Sequence, residues 1–491
     1  MSYAAGESVL APPGFAASGL RRPVATMLAL VLASAIGVGA AAAVRPQLGL
    51  AALLAVAAAL YLSQRPRLAV YALVMVAPAC AGLHRGLLVP GLRISEAAIA
   101  GLGILVLVFA PRAPRPPWTR VEMMVLVYAL ATAALGGFDL LTRHASLNGE
   151  ELGTLLGPLQ FVLLLRAVVV TMTREHYRAR AAQLMLGAAA LISLVALAQY
   201  ANLGPTRAVL SHLTASSNFT TSLGEGVGRV TGPFNIWHEL AGFLMPSILL
   251  ALAMLLDAGS KRGRLFYAAV FVVSTMALVS TAAVGILIVT TISCLYVSWR
   301  RRLLHVALVF AVPAVLIVAV AFGGTLSSRA EQQYANTAVT HKLPFAPQSI
   351  SYRYALFEEQ NAPALAGRWS TGFGPDLPPR LALGNFPFSE TTYVSLLLRG
   401  GVPLLAIFLV LTLFVFLAAR RAQREAESEF EWAVATVVLT TTLGYVFLQL
   451  IESYMLDSGP PHSYWAFVGL MLAAAGARAG RSGGLGRDQS E

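Results

Sequence analysis

Apolar runs of membrane-spanning length dominate the chain and are separated by short polar connections. A helix needs about 20 apolar residues to cross the hydrocarbon core of a bilayer, and runs of this kind recur from residue 24 to residue 477. The short alternating segments typical of a membrane β-barrel are not evident. The pattern therefore predicts an all-α polytopic membrane protein with about 12–14 transmembrane helices. The predicted spans are approximately 24–44, 47–63, 68–83, 95–111, 121–140, 152–172, 181–201, 234–256, 265–282, 284–299, 303–322, 402–419, 432–451 and 461–477.

One long interval, from Phe322 to Arg399, is too polar to lie in lipid. It predicts a large loop outside the membrane, and a second polar stretch runs from Asn202 to Pro233. The expected organisation is a tail (1–23), a transmembrane helical bundle (24–322), the large loop (323–401), C-terminal transmembrane helices (402–477) and a second tail (478–491).

The basic residues predict the orientation of the helices. Alternate connections carry clusters of Arg or Lys, such as 174–180 and 300–302, and such connections usually stay on the cytoplasmic side. Both termini are then cytoplasmic, and both polar stretches lie on the outer side. An active site on that side has no access to ATP or nucleotide sugars, so a transferase there needs a preactivated donor, which points to a lipid-linked one.

The composition agrees with a membrane protein. Of the 491 residues, 57% are hydrophobic and 12% are charged, whereas a soluble domain has about 25% charged residues. The net charge of +12 is dispersed among the connections, so it does not predict nucleic-acid binding. Cys80 and Cys294 fall inside apolar segments, where cysteine is usually a small core residue. Neither metal-ligand spacing nor a phosphate-binding P-loop occurs, so no metal or cofactor is predicted.

Three groups of polar residues border the predicted outer face. In the first, Arg229 precedes a break at Gly232-Pro233, and Asn235 and His238 then lie near the start of an apolar helix. A helix N-terminus with an arginine just before it can hold an anion such as a pyrophosphate. The alternative is a capped helix with an interfacial arginine and histidine, which this stretch alone favours.

The second group lies inside the large loop. Arg353 follows Tyr352 in a segment that predicts an amphipathic helix at the membrane surface. The planar guanidinium of Arg353 matches the geometry of a phosphate group. Gly372 and Gly374 allow a backbone to approach a neighbour closely, although a lone Gly-x-Gly is more often only a turn.

The third group lies where the loop re-enters lipid. Glu390 and Tyr393 precede a leucine-rich stretch that reaches Arg399. A carboxylate at such a place is costly unless it has a partner or a function, which makes Glu390 a candidate general base. An acid that complements the dipole of the following helix is an equally favoured alternative.

Arg166 is a further candidate because it lies inside an apolar run. An intramembrane arginine usually faces the interior of the bundle and has a partner. The acids expected on the outer side, which could pair with it or bind substrate, are Glu150, Glu151, Glu452 and Asp457.

In this order, the three groups resemble the motifs of the O-antigen ligase and Wzy-type O-antigen polymerase superfamily. The resemblance covers roughly residues 229–420. The matching positions are Arg229, Gly232, Phe234, Asn235 and Ala241 in the first motif, Arg353, Phe357, Gly372 and Gly374 in the second, and Glu390, Tyr393 and Gly401 in the third.

The resemblance implies a GT-C-like glycosyltransferase of the bacterial cytoplasmic membrane, with its active site on the periplasmic or extracellular side and no cofactor. Its partners would be an undecaprenyl-diphosphate-linked oligosaccharide, a glycan acceptor and membrane lipids. Arg229 and Arg353 would neutralise the leaving diphosphate, and Glu390 would be the base. The residues expected to bind substrate are Asn235, His238, Tyr352, Gly372, Gly374, Tyr393, Arg399 and Arg166.

Two departures from the family pattern favour a polymerase over a ligase. Ligases usually carry a histidine at the position of Glu390, and the family's Ser-Arg-Gly appears here as 280–285 without the arginine. A ligase that transfers finished glycan is the first alternative. A transporter of polysaccharide or lipid-linked glycan is the second, and it is less favoured because intramembrane charges are few and no inverted repeat is evident.

Overall fold

The computed structural model describes residues 57–84, 93–109, 115–143, 149–214, 229–302, 347–375, 391–456 and 458–485, with short pieces between 320 and 331. Throughout these residues the chain forms helices joined by turns, without strands. The predicted span 24–44 and most of 47–63 and 303–322 lie outside the described residues. The chain divides into two compact units, Met1–Gln64 and Arg65–Glu491, and the description below concerns the second.

The apolar runs predicted as spans coincide with helices wherever the structure describes them. The helix Gln348–Leu356 continues through a π-helical turn, Phe357–Asn361, to Ala364. The helices are α1 (Pro66–Ala79), α2 (Ile94–Phe109), α3 (Arg120–Arg143), α4 (Gly149–Leu156), α5 (Leu159–Thr171), α6 (Glu175–Tyr200), α7 (Thr206–Thr214), α8 (Trp237–Asp257), α9 (Lys261–Ser280), α10 (Val284–Arg300), α11 (Gln348–Leu356), α12 (Thr392–Arg424), α13 (Glu429–Leu448) and α14 (Pro460–Leu485).

In the described part of the chain, seven helical segments are long and apolar enough to cross a membrane. They confirm the prediction of a helical, multi-pass membrane protein, because each can satisfy its own backbone hydrogen bonds inside lipid. The segments are Arg120–Thr142, Glu151–Thr171, Glu175–Tyr200, Trp237–Asp257, Lys261–Ser280, Thr392–Arg424 and Glu429–Leu448.

Helix α8 lies at the centre of the bundle. It contacts α6, α9, α10, α13 and α14, and 83% of its most apolar window is buried. The corresponding window of α12 is only 28% buried, so most of its apolar side chains face outward, where they would meet lipid. The N-terminal end of α8 therefore lies among several helices, which suits a binding site at that end.

Ion pairs gather at both ends of the bundle. At one end, called the basic end here, Arg178 of α6 lies 2.7 Å from Glu431 of α13, which also bonds Arg478 of α14. At the opposite end, called the loop end, Arg353 of the large loop pairs with Glu452. Each pair joins connections that the charge pattern places on the same side of the membrane.

Helix α12 begins earlier than its predicted span, 402–419. Thr391 caps it by accepting a hydrogen bond from Val394 N at 3.2 Å, and the helix continues across a kink at Gly400 and Gly401. Gly401 has φ 66° and ψ −165°, a conformation open mainly to glycine. The large loop therefore ends before the glycine pair, and its last predicted residues belong to the helix.

Candidate functional site

Three ionisable side chains from separate segments meet at the loop end. Arg353 Nη2 lies 2.8 Å from Glu452 Oε1, and His238 Nδ1 lies 3.5 Å from Glu452 Oε2. The side chains of Arg353, Glu452 and His238 are 12%, 9% and 9% exposed. We call these residues the loop-end cluster. Because it brings a cation, a carboxylate and an imidazole together with little water, it is the strongest candidate site among the described residues.

The backbone around the first turn of α8 holds His238 in place. The residue before the helix, Ile236, is extended, and the carboxylate of Glu239 accepts a hydrogen bond from Asn235 N at 3.0 Å. The other oxygen of Glu239 accepts from Ser458 N at 3.2 Å. Glu239 thereby ties the start of α8 to the connection between α13 and α14, which carries Glu452.

Arg353 and Glu452 are positioned by the ends of their own helices. Arg353 Nη1 donates to Ser349 O at 3.0 Å, within α11. Glu452 follows α13 directly, and its backbone N–H continues the helical pattern by donating to Leu448 O at 3.0 Å. Arg353 therefore extends from helix α11, whereas Glu452 extends from the bend that follows α13.

Aromatic rings surround the imidazole. The ring of Tyr454 lies 5.9 Å from that of His238, edge to face, and is stacked on Tyr445 at 5.8 Å. Tyr445 in turn donates a hydrogen bond to Gly242 O at 2.9 Å, deep in α8. These contacts anchor the aromatic side of the site to the central helix.

Arg229 reaches the same end of α8 from another segment. Its guanidinium lies 4.2 Å from the centre of the Trp237 ring, a distance at which the cation is attracted to the ring face. The Trp237 ring lies 5.2 Å from that of His238. A continuous series of contacts therefore links Arg229 to the loop-end cluster through one aromatic residue.

Arg166 lies elsewhere. Its Nη1 is 3.2 Å from Glu122, which is 1% exposed, and its Nη2 donates to Pro116 O at 2.7 Å. Its partner is therefore Glu122 and none of the acids that the sequence suggested. Asp139, which bonds Arg368 of the large loop, lies 17 residues (139 − 122) further along α3, about 25 Å of helix. Arg166 thus belongs to the basic end, apart from the loop-end cluster.

The Gly-x-Gly segment packs against the kink of α12. Phe373 N donates to Leu398 O at 2.6 Å, and Gly374 N donates to Arg399 O at 3.0 Å. A kink frees carbonyl groups that would otherwise be bonded inside the helix, and the loop supplies their donors. A Cβ on Gly372 would lie 2.6 Å from Leu398 O. Gly372 is therefore needed for this backbone contact, and Gly374 leaves room for the side chain of Asp139, 2.7 Å from where its Cβ would lie. Both glycines permit a close approach, as the sequence suggested.

The other predicted binding residues have structural contacts. Tyr393 donates to Val446 O at 2.8 Å, joining α12 to α13. The amide group of Asn235, oriented to match its neighbours, donates to Thr214 O at 2.9 Å and Gly82 O at 2.8 Å. Asn235 thereby connects the segment before α8 to the end of α7 and to the turn after α1.

Of the remaining predicted residues, some are described by the structure and others are not. Tyr352, beside Arg353 on α11, and Arg399, before the kink, are both half-buried. Glu390, the predicted base, lies outside the described residues, as does Asp457. Glu452 is the residue whose position in the site the sequence did not predict. The signal used for Glu390, a carboxylate at the edge of an apolar span, also applies to Glu452.

A narrow cleft lies next to the aromatic side of the cluster, between α12, α13 and α14. Its enclosed volume is about 10 Å³, enough for about one water molecule. Tyr445, which stacks on Tyr454, forms part of its wall. Gln449 also lines the cleft, and its Oε1 is buried with no hydrogen-bond partner in the described structure. The cleft is mainly apolar and aromatic; its other lining residues are Phe408, Leu411, Thr412, Val415, Thr442, Met455, Tyr464 and Trp465.

No protein-family model matches the chain, and no curated protein matches it either. Within the described residues, no group of three or more His, Cys, Asp or Glu side chains is placed to hold a metal ion. A functional assignment must therefore come from the geometry of the loop end and from the motifs in the sequence.

Proposed function

We propose that this protein is a membrane glycosyltransferase that extends a glycan carried on undecaprenyl diphosphate, at the outer side of a bacterial cytoplasmic membrane. The observation that carries the proposal is the approach of Arg353 and Arg229 to one end of α8 from separate segments. The order of motifs from Arg229 to Gly401, similar to that of O-antigen polymerases, supports the same activity. We also propose that the helical bundle has a GT-C-like fold.

The charges suit a diphosphate leaving group. A guanidinium has five N–H donors, so Arg353 can bind a phosphate oxygen while it keeps a bond to Glu452. Arg229 adds a second cation, and the N-terminal end of α8 adds the positive end of a helix dipole. In a site with little water these groups stabilise negative charge on a leaving diphosphate more strongly than they would in solution.

The lipid part of such a donor would lie in the surrounding bilayer, against the outward-facing apolar side chains of α12. The cleft beside Tyr454 is too small to hold an isoprenoid chain. The acceptor hydroxyl then attacks the anomeric carbon, the bond to the diphosphate breaks, and the carrier leaves with the electron pair.

Purified protein in lipid nanodiscs, supplied with an undecaprenyl-diphosphate-linked oligosaccharide, tests the proposal. The wild type is expected to form a ladder of longer carrier-linked glycans, and Arg353→Ala and Arg229→Ala are expected to lose it. Arg421→Ala is the matched control, because its ion pair with Glu425 at the basic end is largely exposed. A wild-type protein that transfers no glycan under these conditions overturns the proposal.

Deletion of the gene separates a polymerase from the alternatives. Loss of a polymerase leaves single repeat units on the carrier, whereas loss of a ligase leaves carrier-linked polymer of normal length. Movement of the lipid-linked glycan across a reconstituted bilayer without formation of a glycosidic bond would instead establish a transporter. Mass analysis of the carrier-linked glycans and a flux assay distinguish these outcomes.

A further inference from the structure

We infer that His238 is the general base of this site and that Glu452 is the residue that positions it. The inference rests on the proposed glycan transfer and adds the proton acceptor that the reaction needs. It replaces neither arginine, since their proposed role is to bind the diphosphate.

The geometry holds the imidazole in one orientation. His238 Nδ1 faces Glu452 Oε2 at 3.5 Å, and the ring makes edge-to-face contacts with Trp237 and Tyr454, at interplanar angles of 89° and 75°. We assign Nε2, on the other side of the ring from Glu452, as the nitrogen that receives a proton in the proposed step. A carboxylate at this distance stabilises the imidazolium that forms.

Glu452 is itself held on both of its oxygens. Oε1 is 2.8 Å from Arg353 Nη2 and Oε2 is 3.5 Å from His238 Nδ1. One arginine already balances the charge of a buried carboxylate, so neutralisation of Glu452 does not require the histidine. The placement of an imidazole on the second oxygen is what a proton-transfer site requires.

The charged and titratable groups around His238 come from several elements. Glu452 faces it from the end of α13, and Glu239 follows it on α8. Arg353 is paired with Glu452, and the guanidinium of Arg229 lies over the Trp237 ring, which contacts His238. The ring of Tyr454 also contacts the imidazole. Glu452 is the carboxylate that faces the ring when the proton arrives.

The proposed step balances as follows. The acceptor hydroxyl oxygen forms its bond to the anomeric carbon while its proton passes to His238 Nε2. The bond between the anomeric carbon and the diphosphate oxygen breaks, and the electron pair leaves with the carrier diphosphate. The imidazolium then releases the proton to water, which restores the neutral base.

Initial rates of glycan transfer in nanodiscs, measured between pH 5 and pH 9, test the inference on wild-type protein, His238→Gln, Glu452→Gln and His212→Gln. His212 lies in α7, is exposed and serves as the matched control. His238→Gln is expected to lower the rate about 10²–10⁴-fold and to abolish the fall in rate at low pH. Glu452→Gln is expected to lower the rate less and to move that fall to lower pH, because the imidazolium loses its stabilising charge.

Two further measurements separate catalysis from structure. Binding of the lipid-linked donor, measured at equilibrium, is expected to stay within about threefold of wild type in His238→Gln, since only a step after binding is affected. Added imidazole is expected to restore part of the rate to His238→Gly. If Glu452→Gln does not fold, the pH profile and rescue of the His238 variants decide alone.

The outcomes are distinguishable. A wild-type protein that transfers no glycan contradicts the proposed function itself. An active wild type together with a His238→Gln variant of near-normal rate and pH profile contradicts the inference and leaves the proposed function standing. A His238→Gln variant that is slow but keeps the wild-type pH profile also contradicts it, because that result indicates a structural role.

Discussion

The contact between the Gly-x-Gly segment and the kinked helix α12 makes a quantitative prediction about Gly372. An alanine there would place its Cβ 2.6 Å from Leu398 O and 2.8 Å from Gly400 N, in a backbone conformation with φ +66°. Gly367 offers a matched control, because it has φ +78° but no atom within 4 Å of the same position. Both substitutions share the conformational cost, and only the first disturbs the kink.

The expected free energies differ for this reason. A side chain at positive φ costs about 1–2 kcal/mol at either glycine. At Gly372 the loop must also move away from α12, which breaks the bonds from Phe373 N to Leu398 O and from Gly374 N to Arg399 O. Each buried bond costs about 1–2 kcal/mol when its groups are left unsatisfied. We therefore expect Gly372→Ala to lower the free energy of unfolding by about 3–6 kcal/mol and Gly367→Ala by about 1–2 kcal/mol.

Equilibrium unfolding in mixed micelles, followed by circular dichroism, measures both variants against the wild type. Limited proteolysis of the large loop provides a second measurement, since cleavage should increase in Gly372→Ala and not in Gly367→Ala. Equal destabilisation of the two variants would refute the reasoning, because the docking contact would then contribute nothing beyond backbone conformation.

Three other substitutions test contacts described above. Arg166→Ala leaves the carboxylate of Glu122 buried without its cation and is expected to lower the free energy of unfolding by about 3–5 kcal/mol. Arg421→Ala, at an exposed ion pair, should lower it by less than about 1 kcal/mol. Similar losses in the two variants would contradict the assigned burial of Glu122. Asn235→Asp replaces amide donors with an acceptor facing two carbonyls, so its melting temperature should fall below that of Asn235→Ala, and the reverse order would show that those bonds are absent. Glu431→Gln removes the negative charge that Arg178 and Arg478 share, and the free energy of unfolding is expected to fall by about 3–5 kcal/mol in the same assay. An unchanged free energy of unfolding would rule out a structural role for these ion pairs.

The long helices could be predicted because a peptide backbone inside lipid must satisfy its own hydrogen bonds. A run of about 20 apolar residues must bond its own peptide groups to enter hydrocarbon, so the apolar runs located the long helices that the structure describes. The short helix α7 was missed because it lies in a polar stretch that was predicted as a loop. The start of α12 was missed because glycines usually end a helix. Here the kink at Gly400 and Gly401 frees the carbonyls of Leu398 and Arg399, which accept hydrogen bonds from the loop segment at Phe373 and Gly374.

The site was predicted only in part. His238, Arg229 and Arg353 are recognisable because polar side chains next to apolar spans are costly and therefore informative. Glu452 was only one of several candidate acids, and its pairing with Arg353 was not predicted, because the two residues are 99 positions apart and no local pattern connects them. The same limit explains Arg166, whose polar neighbour depends on how α3 packs against α5.

Glu431, the carboxylate that two arginines share at the basic end, also has a consequence for the insertion of the chain into the membrane during translation. Arg178 and Glu431 are separated by 253 positions, which takes about 10–50 s to translate at ordinary elongation rates. During that interval the guanidinium has emerged and its counter-charge has not yet been synthesised. Arg178 therefore stays next to water or lipid headgroups until α13 has been made, and Arg478 joins Glu431 only after the final helix leaves the ribosome.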